Sequence, residues 1–490
     1  MNPKLKTNPD IQINQIDNVF AKVTSEPAVA QELSDFFTFS VPGANFSEAY
    51  KSHYWDGKIR LFSLKTNKIY AGLIEYVKEF AKMGAYSYSY TMLKNSISEL
   101  AKSEHIDDYK IPLKIRDYQY LGFIHAINNK RSMIISPTAS GKSVIIYMIS
   151  RWLLEHGKKR GLLIVPTTNL VEQMYTDFSS YGWDVEKHCQ RIYYGFDKEP
   201  NAALIISTWQ SIYDMPKQYF STFDFVIGDE AHQFKAKSLI SIMTSLINCE
   251  YRVGTTGTLD DIKVHKLVLE GLFGPIKRVA STKQLIERKQ LAEFNIKCLV
   301  LKYPEEQSKL LKGIKYKDEL EFLIAHSKRN HFIRNLAESL TGNTLILYTY
   351  VAKHGKVLHA LFKEKIKNRK IFFVCGETET LDRELIRSII EKETNAIIIA
   401  SYGTFSTGIN IVNLNNVIFA SPTKSKIRTL QAIGRGLRID DNKRKTVLYD
   451  IADDLRYKTY VNFTLKHYEE RIKIYNAERF PFKTYNIGIN

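Results

Sequence analysis

The sequence of 490 residues predicts an α/β fold: two parallel-sheet domains in tandem, behind a small α+β N-terminal domain and ahead of a helical C-terminal tail. Three observations predict it. From Leu113 onward, short unbroken runs rich in β-branched residues alternate with helical patterns, as buried parallel strands and their crossover helices require. The alternation comes in two series, separated by a variable stretch near Gln290 to Asn330. Only the first series contains a small-residue loop between a strand and a helix, Ser136-Pro137-Thr138-Ala139-Ser140-Gly141-Lys142-Ser143.

Taken in order, residues 1–100 read as the separate small domain. Trp55-Asp56-Gly57-Lys58-Ile59-Arg60-Leu61-Phe62 carries the Asp-Gly signal of a tight hairpin. Leu73, Ile74, Val77, Phe80 and Ala81 recur at helical spacing, and Gly84 is placed to end that helix. Tyr86, Tyr88 and Tyr90 alternate with serines as in a half-exposed strand; such tyrosines can stack on bases, although a core or interface role is the plainer reading. A linker from Lys102 to Pro112 leads to the first series, residues 101–290. Its strands are expected at Met133–Ile135, Leu162–Val165, Leu204–Ser207, Phe225–Ile227 and Tyr251–Gly254. The second series, 291–454, has strands at Leu345–Tyr348, Ile371–Cys375, Ile397–Ala400, Val417–Ala420 and Val447–Asp450. It holds no phosphate loop, so one domain binds a nucleotide and the other acts on it from across a cleft. The basic tail, 455–490, places Phe463, Leu465, Tyr468, Ile472 and Ile474 on a helix packed against the second domain.

Lysine and arginine number 70 against 52 aspartates and glutamates, a net charge of +18. The surplus favours a polyanionic partner, nucleic acid before an acidic membrane surface. It does not lie in the first hundred residues, where the two signs nearly balance. The four cysteines, Cys189, Cys249, Cys298 and Cys375, are far apart with no C-x-x-C pair. Neither a zinc site nor a disulfide framework is indicated, which suits a reducing cytosol. No run is long enough for a membrane span, and the N-terminus lacks the apolar core of a signal peptide.

The chemistry begins at the loop. Backbone N–H groups of Thr138, Ala139, Ser140 and Gly141 can cradle an anion at a helix N-terminus. Lys142 can reach the terminal phosphates of ATP as a point charge, and the Ser143 hydroxyl is an oxygen ligand suited to Mg²⁺. Phe225-Val226-Ile227-Gly228 is followed by Asp229-Glu230-Ala231-His232, a strand ending in two carboxylates. Asp229 can hold Mg²⁺ through its water shell, and Glu230 can orient and deprotonate an attacking water. His232 has no second His or Cys spaced for a metal and reads as a link to other motifs. Gln431-Ala432-Ile433-Gly434-Arg435-Gly436-Leu437-Arg438 puts two arginines on one helix face, suited to charge developing on a γ-phosphate.

Together these pieces resemble the superfamily 2 helicases and translocases, in that family's order over most of the two series. The resemblance implies tandem RecA-like domains and assigns further residues. Arg116, Tyr118 and Gln119 resemble the adenine-reading motif. Pro166 to Gln173 resembles motif Ia and Ser207-Thr208-Trp209-Gln210-Ser211 motif Ic. Thr256-Gly257-Thr258 stands where motif III is expected. Ala400 to Asn410 resembles motif V, with Gly408 at the nucleotide, and Gln431 to Arg438 motif VI. The resemblance implies coupling roles for His232, Thr256, Thr258 and Gln431, and nucleic-acid contacts from Thr167, Thr168, Thr208, Trp209 and Thr404. Ser136 stands where the loop usually opens with Gly, and Asn410 where Asp is frequent. Trp55 to Leu61, Pro166-Thr167-Thr168, Gly271-Leu272-Phe273-Gly274, Ser401 to Gly408 and Lys424-Ser425-Lys426-Ile427 are similar to the phage recombination helicases within that superfamily. That narrower resemblance implies an ATP- and Mg²⁺-dependent DNA helicase acting on single-stranded, forked and four-way DNA and on R-loops. It also implies work beside other recombination or replication proteins in a host bacterial cytoplasm. RNA is the alternative substrate, since the motor motifs do not distinguish the sugar. A duplex translocase without strand separation and a nucleotide-switched binding protein are the other readings.

Overall fold

The computed structural model describes residues 8–93, 100–102, 104–260, 262–378, 380–408, 413–423, 425, 429–430, 432–434 and 445–489. Two compact units divide the chain: residues 1–135 with 142–279, and residues 280–490 with the loop 136–141.

The first unit opens with a small mixed layer. Its strands are β1 (Ile11–Gln15), β2 (Phe20–Ser25), β3 (Thr38–Ser40), β4 (Lys58–Arg60), β5 (Phe62–Ser63), β6 (Lys68–Tyr70) and β7 (Tyr88–Thr91), with helices α1 (Pro27–Phe36) and α2 (Ile74–Met83). Five of the strands form a sheet in the order β5-β6-β2-β1-β7, and β3 pairs with β4. The expected helix stands, with Ile74, Val77, Phe80 and Ala81 buried and Gly84 at its C-cap. The Asp56-Gly57 pair makes no tight hairpin. β4 pairs instead with β3, seventeen residues of intervening chain away, and Gly57 turns into β4 at φ 75°. An Asp-Gly signal marks a turn but does not show which strand the following residues pair with.

This layer shares its core with the sheet behind it. Ile11, Val23, Phe62 and Val77 belong to one apolar cluster with Met133, Leu162 and Phe273. The Tyr76 hydroxyl donates to Glu270 at 2.7 Å, and Arg131 donates to the Asn18 carbonyl at 2.6 Å. The backbones meet at Gly72, where a Cβ would come within 2.1 Å of the Glu270 carbonyl oxygen. Ile106 and Tyr109, in the expected linker, and Ala101 just before it are buried within the same unit.

The larger sheet of this unit is wholly parallel. Its elements are α3 (Asp117–Asn129), β8 (Arg131–Ile135), α4 (Lys142–Glu155), β9 (Gly161–Val165), α5 (Thr168–Ser180), β10 (Cys189–Ile192), β11 (Leu204–Thr208), β12 (Phe225–Asp229), α6 (Lys237–Ser245), β13 (Tyr251–Thr256), α7 (Lys263–Phe273) and β14 (Ile276–Arg278). The strand order is β10-β11-β9-β12-β13-β8-β14. The central strands β9, β11, β12 and β13 are buried at every residue, which is why they read as unbroken apolar runs. The five expected strands are present; β10 and β14 are additional.

The second unit repeats the plan with β15 (Glu293–Lys302), α8 (Tyr316–Ala325), α9 (Ser327–Ser339), β16 (Thr344–Tyr348), α10 (Lys356–Lys365), β17 (Ile371–Val374), α11 (Thr380–Lys392), β18 (Ile397–Ser401), α12 (Tyr402–Gly408), β19 (Asn416–Phe419), β20 (Lys445–Asp454), α13 (Phe463–Ala477) and β21 (Phe482–Gly488). Its parallel sheet has the order β17-β18-β16-β19-β20-β15-β21. The stretch expected to be variable holds β15, α8 and the start of α9. The tail contains the expected helix, then a strand that pairs along β15 from Phe482 opposite Ile296 to Gly488 opposite Lys302. A carboxylate from α8 caps α13: Glu319 accepts from the N–H groups of Phe463 and Thr464, at 2.9 and 2.7 Å, and from the Thr464 hydroxyl. Arg471 of α13 forms a buried pair with Asp450 of β20, at 2.7 Å, and Tyr475 adds a 2.8 Å bond to the same carboxylate.

Candidate nucleotide site and nucleic-acid contacts

Parallel α/β sheets gather ligands at the carboxyl ends of their strands. In the first unit β12, β13 and β8 are neighbours there. Asp229, the last residue of β12, stands in register with Thr255 of β13, and Thr256 with Ile135 of β8. The Thr255 hydroxyl donates to Asp229 at 2.8 Å. The Asp229 carboxyl is pushed up, first by burial and then by the charge of Glu230, with Lys142 pulling the other way. Two adjacent carboxylates with one lysine beside them favour a further cation.

Glu230 follows in the left-handed region, φ 49° and ψ 48°. This turns the chain sharply after the strand and places His232 under Thr256. His232 Nδ1 lies 3.1 Å from the Thr256 hydroxyl and 3.3 Å from a Glu230 carboxylate oxygen. The Thr256 hydroxyl donates to the Thr258 carbonyl at 2.9 Å. Four residues singled out in the sequence, Glu230, His232, Thr256 and Thr258, therefore form one network. Lys235 and His265 form a separate cluster, both bonded to Asp260.

The loop itself is tightly turned. Ala139 and Gly141 take φ of 66° and 79°. Ser136 and Ser140 are fully buried, with their hydroxyls 2.6 Å apart, and the Ser140 N–H closes a turn on the Pro137 carbonyl at 3.1 Å. Ser136, where glycine is usual, thus ties the loop across its base. Thr138, Ala139 and Gly141 are half-buried, as are Lys142 and Ser143, which begin α4. At the start of α3 the Gln119 amide oxygen accepts the Arg116 N–H at 2.9 Å, and Arg116 donates to the Tyr118 hydroxyl.

Among the expected nucleic-acid contacts, Thr167 caps α5 through the Leu170 N–H and Thr168 is exposed. Thr208 and Thr404 are buried. Their hydroxyls bond within their own turns, to Ser211 and Ser401, each at 2.8 Å. Trp209 is half-buried against Tyr213. Gly408 ends α12. Gln431, Arg435 and Arg438 lie outside the described residues, as does Asn410.

Sequence reasoning missed Thr255, Tyr181 and the Lys235–Asp260–His265 cluster. Thr255 had a signal, since it precedes a motif residue on a strand beside Asp229. Tyr181 had none, because the Ser143 hydroxyl it meets lies 38 residues earlier.

Three family models match the chain in succession. "DNA helicase UvsW, N-terminal" covers residues 10–91, "Type III restriction enzyme, res subunit" residues 82–261, and "Helicase conserved C-terminal domain" residues 327–440. The "ATP-dependent DNA helicase uvsW" of Enterobacteria phage T4 is 33% identical, over 98% of this chain and 100% of its own. A "DNA 3'-5' translocase XPB2" of Sulfurisphaera tokodaii is 24% identical, over 76% of this chain and 92% of its own. The crystal structure of T4 UvsW matches with a TM-score of 0.50 and 30% identity, covering 98% of this chain and all of that one. A fragment of a putative HsdR subunit of a type I restriction enzyme from Vibrio vulnificus shares the fold, with a TM-score of 0.59 at 17% identity.

Proposed function

The chain belongs to the UvsW family of superfamily 2 ATP-dependent DNA helicases, and from that membership we propose that it remodels branched DNA: four-way junctions, stalled forks and R-loops. The observation that carries this is the likeness to a phage DNA helicase along both whole chains, including the small N-terminal layer. That layer presents chemistry suited to unpaired strands. Between β3 and β4 the side chains of Phe46 and Tyr54 are 79% and 91% exposed, with Lys51 and Lys58 exposed nearby. Aromatic faces that stack on bases, interleaved with cations for the backbone, bind single strands without sequence preference. The net charge of +18 supports a backbone-dominated, salt-sensitive interaction.

In the proposed reaction the loop N–H groups from Thr138 to Gly141 and the Lys142 ammonium bind the phosphates of ATP. Arg116 and Gln119 hold the adenine. The hydroxyl of Ser143 and the carboxylate of Asp229 are hard oxygen donors, suited to Mg²⁺ bound together with the phosphates. When bound, that ion supplies neutralisation of phosphate charge. Glu230 accepts the proton of the attacking water, with His232 and Thr256 fixing its carboxylate from behind. Arg435 and Arg438 stabilise charge on the γ-phosphate, and Gly408 and Gln431 respond to it. The Thr256–Thr258 turn carries the nucleotide state away from the site. Thr167, Thr168 and Trp209, with the N–H groups around Thr208 and Thr404, hold the DNA backbone. The expected place of action is the cytoplasm of an infected bacterial host, beside recombination or replication proteins.

The test is the ATPase rate with no nucleic acid, single-stranded DNA, duplex DNA, a fork, a four-way junction and RNA, beside Lys142→Ala. Strong stimulation by forks and junctions, followed by junction unwinding, is the expected result. A preference for RNA, or rates indifferent to branching, would overturn the proposal.

A further inference from the structure

Ser143, the hydroxyl proposed to meet the cation, already has a protein partner. Its Oγ lies 2.9 Å from the phenolic oxygen of Tyr181. Tyr181 is the residue after α5, and only 7% exposed. Its ring is fixed edge-on to Tyr147 at 5.3 Å, within an aromatic group completed by Phe178 and Trp183. Its backbone is fixed as well. The Tyr147 hydroxyl donates to the Tyr181 carbonyl at 3.3 Å and accepts from Arg151 at 2.8 Å. The packing therefore delivers one polar atom to one hydroxyl of α4.

We infer that Tyr181 is a positioning residue for Ser143: its phenolic oxygen accepts the Ser143 proton, fixes that hydroxyl's rotamer and leaves the Ser143 lone pairs for the cation. The inference rests on the reading of Ser143 as a cation ligand. A serine hydroxyl has one proton and two lone pairs, so an acceptor for the proton decides where the lone pairs are available. An oxygen that gives a lone pair to a dication becomes a stronger donor, so the bond to Tyr181 tightens when the cation binds. Phenylalanine would keep the ring, its packing and the backbone bonds, and remove only the acceptor.

The experiment measures equilibrium binding of a fluorescent ATP analogue against Mg²⁺ concentration. It uses the wild type, Tyr181→Phe, Ser143→Ala and the double variant, with binding in EDTA and thermal melting recorded for each. Tyr181→Phe should raise the Mg²⁺ needed for half-saturation about three- to tenfold. It should leave binding in EDTA and the melting temperature unchanged, and add nothing in the Ser143→Ala background. If Ser143→Ala shifts the Mg²⁺ requirement and Tyr181→Phe does not, the inference is overturned while the reading of Ser143 stands. An equal loss in EDTA would make Tyr181 a packing residue and also overturn it. Wild-type Mg²⁺ dependence in Ser143→Ala would remove the reading of Ser143, and this inference with it.

Discussion

Glu230 pays a conformational cost that only its position explains, since a non-glycine residue at φ 49° is strained. The strain sets the carboxylate beside His232 and Thr256. Glu230→Gln keeps that shape and removes the basic oxygen, so ATP binding should persist while turnover falls about 10²–10⁴-fold. Pre-steady-state binding and steady-state ATPase on one preparation check both halves. In the second unit His354 is enclosed between Ser421 at 3.1 Å and Asn330 at 3.3 Å. Burial, helped by the charge of Arg329, pushes its imidazole down to about 3. Above the unfolded value of about 6.5 both states are neutral and the group contributes nothing. As pH falls below that value only the unfolded chain takes up the proton, so stability drops by about 1.4 kcal/mol per pH unit until the folded value is reached. Between pH 7.5 and 5 the loss attributable to His354 is about 2 kcal/mol. Urea unfolding at both pH values should show a smaller decline in His354→Gln than in the wild type. Local chemistry of this kind is only partly legible in a sequence. Asp229, Glu230 and His232 are adjacent and announce themselves, whereas Tyr181 and Ser421 act on residues 38 and 67 positions away.

Strands show in a sequence when both faces are buried. β9, β11, β12, β13, β16 and β18 are buried at every residue, and each was expected. β10 and β14 are edge strands with polar residues, and β21 is exposed over most of its length. Their composition has no reason to alternate or to be apolar, so they are seen only in their pairing. The helix α13 was legible from its apolar spacing, but what anchors it was not. Arg471 and Asp450 are 1% and 0% exposed at their side chains, and the pair joins the helix to β20. Removing one partner leaves a buried charge without compensation, so Arg471→Ala should destabilise the second unit by about 3–5 kcal/mol. Denaturant unfolding followed by a probe in that unit measures it, and a loss below about 1 kcal/mol would contradict this account.

The N-terminal layer reads in sequence as a separate small α+β domain, and the structure gives it its own mixed sheet packed on the parallel sheet of the first unit. Its buried residues share one cluster with the parallel sheet of the first unit, through a close approach that needs glycine at both Gly72 and Gly271. Removal of residues 1–91 should therefore expose apolar surface on the sheet behind it and yield protein that aggregates on expression. A soluble, monomeric truncation with wild-type melting of the remaining units would show that the layer is detachable. The second unit has its own long-range dependence, because β15 lies between β20 and β21 in the sheet. On a ribosome, β15 emerges with neither neighbour yet made. At about 5–20 residues per second the 180 residues from Lys302 to Phe482 take on the order of ten to forty seconds to synthesise. Until β20 (Lys445–Asp454) is made both edges of this ten-residue strand are open, and for the rest of that interval the edge that takes β21 stays open, which makes the nascent chain a client for chaperones that shield unpaired strands.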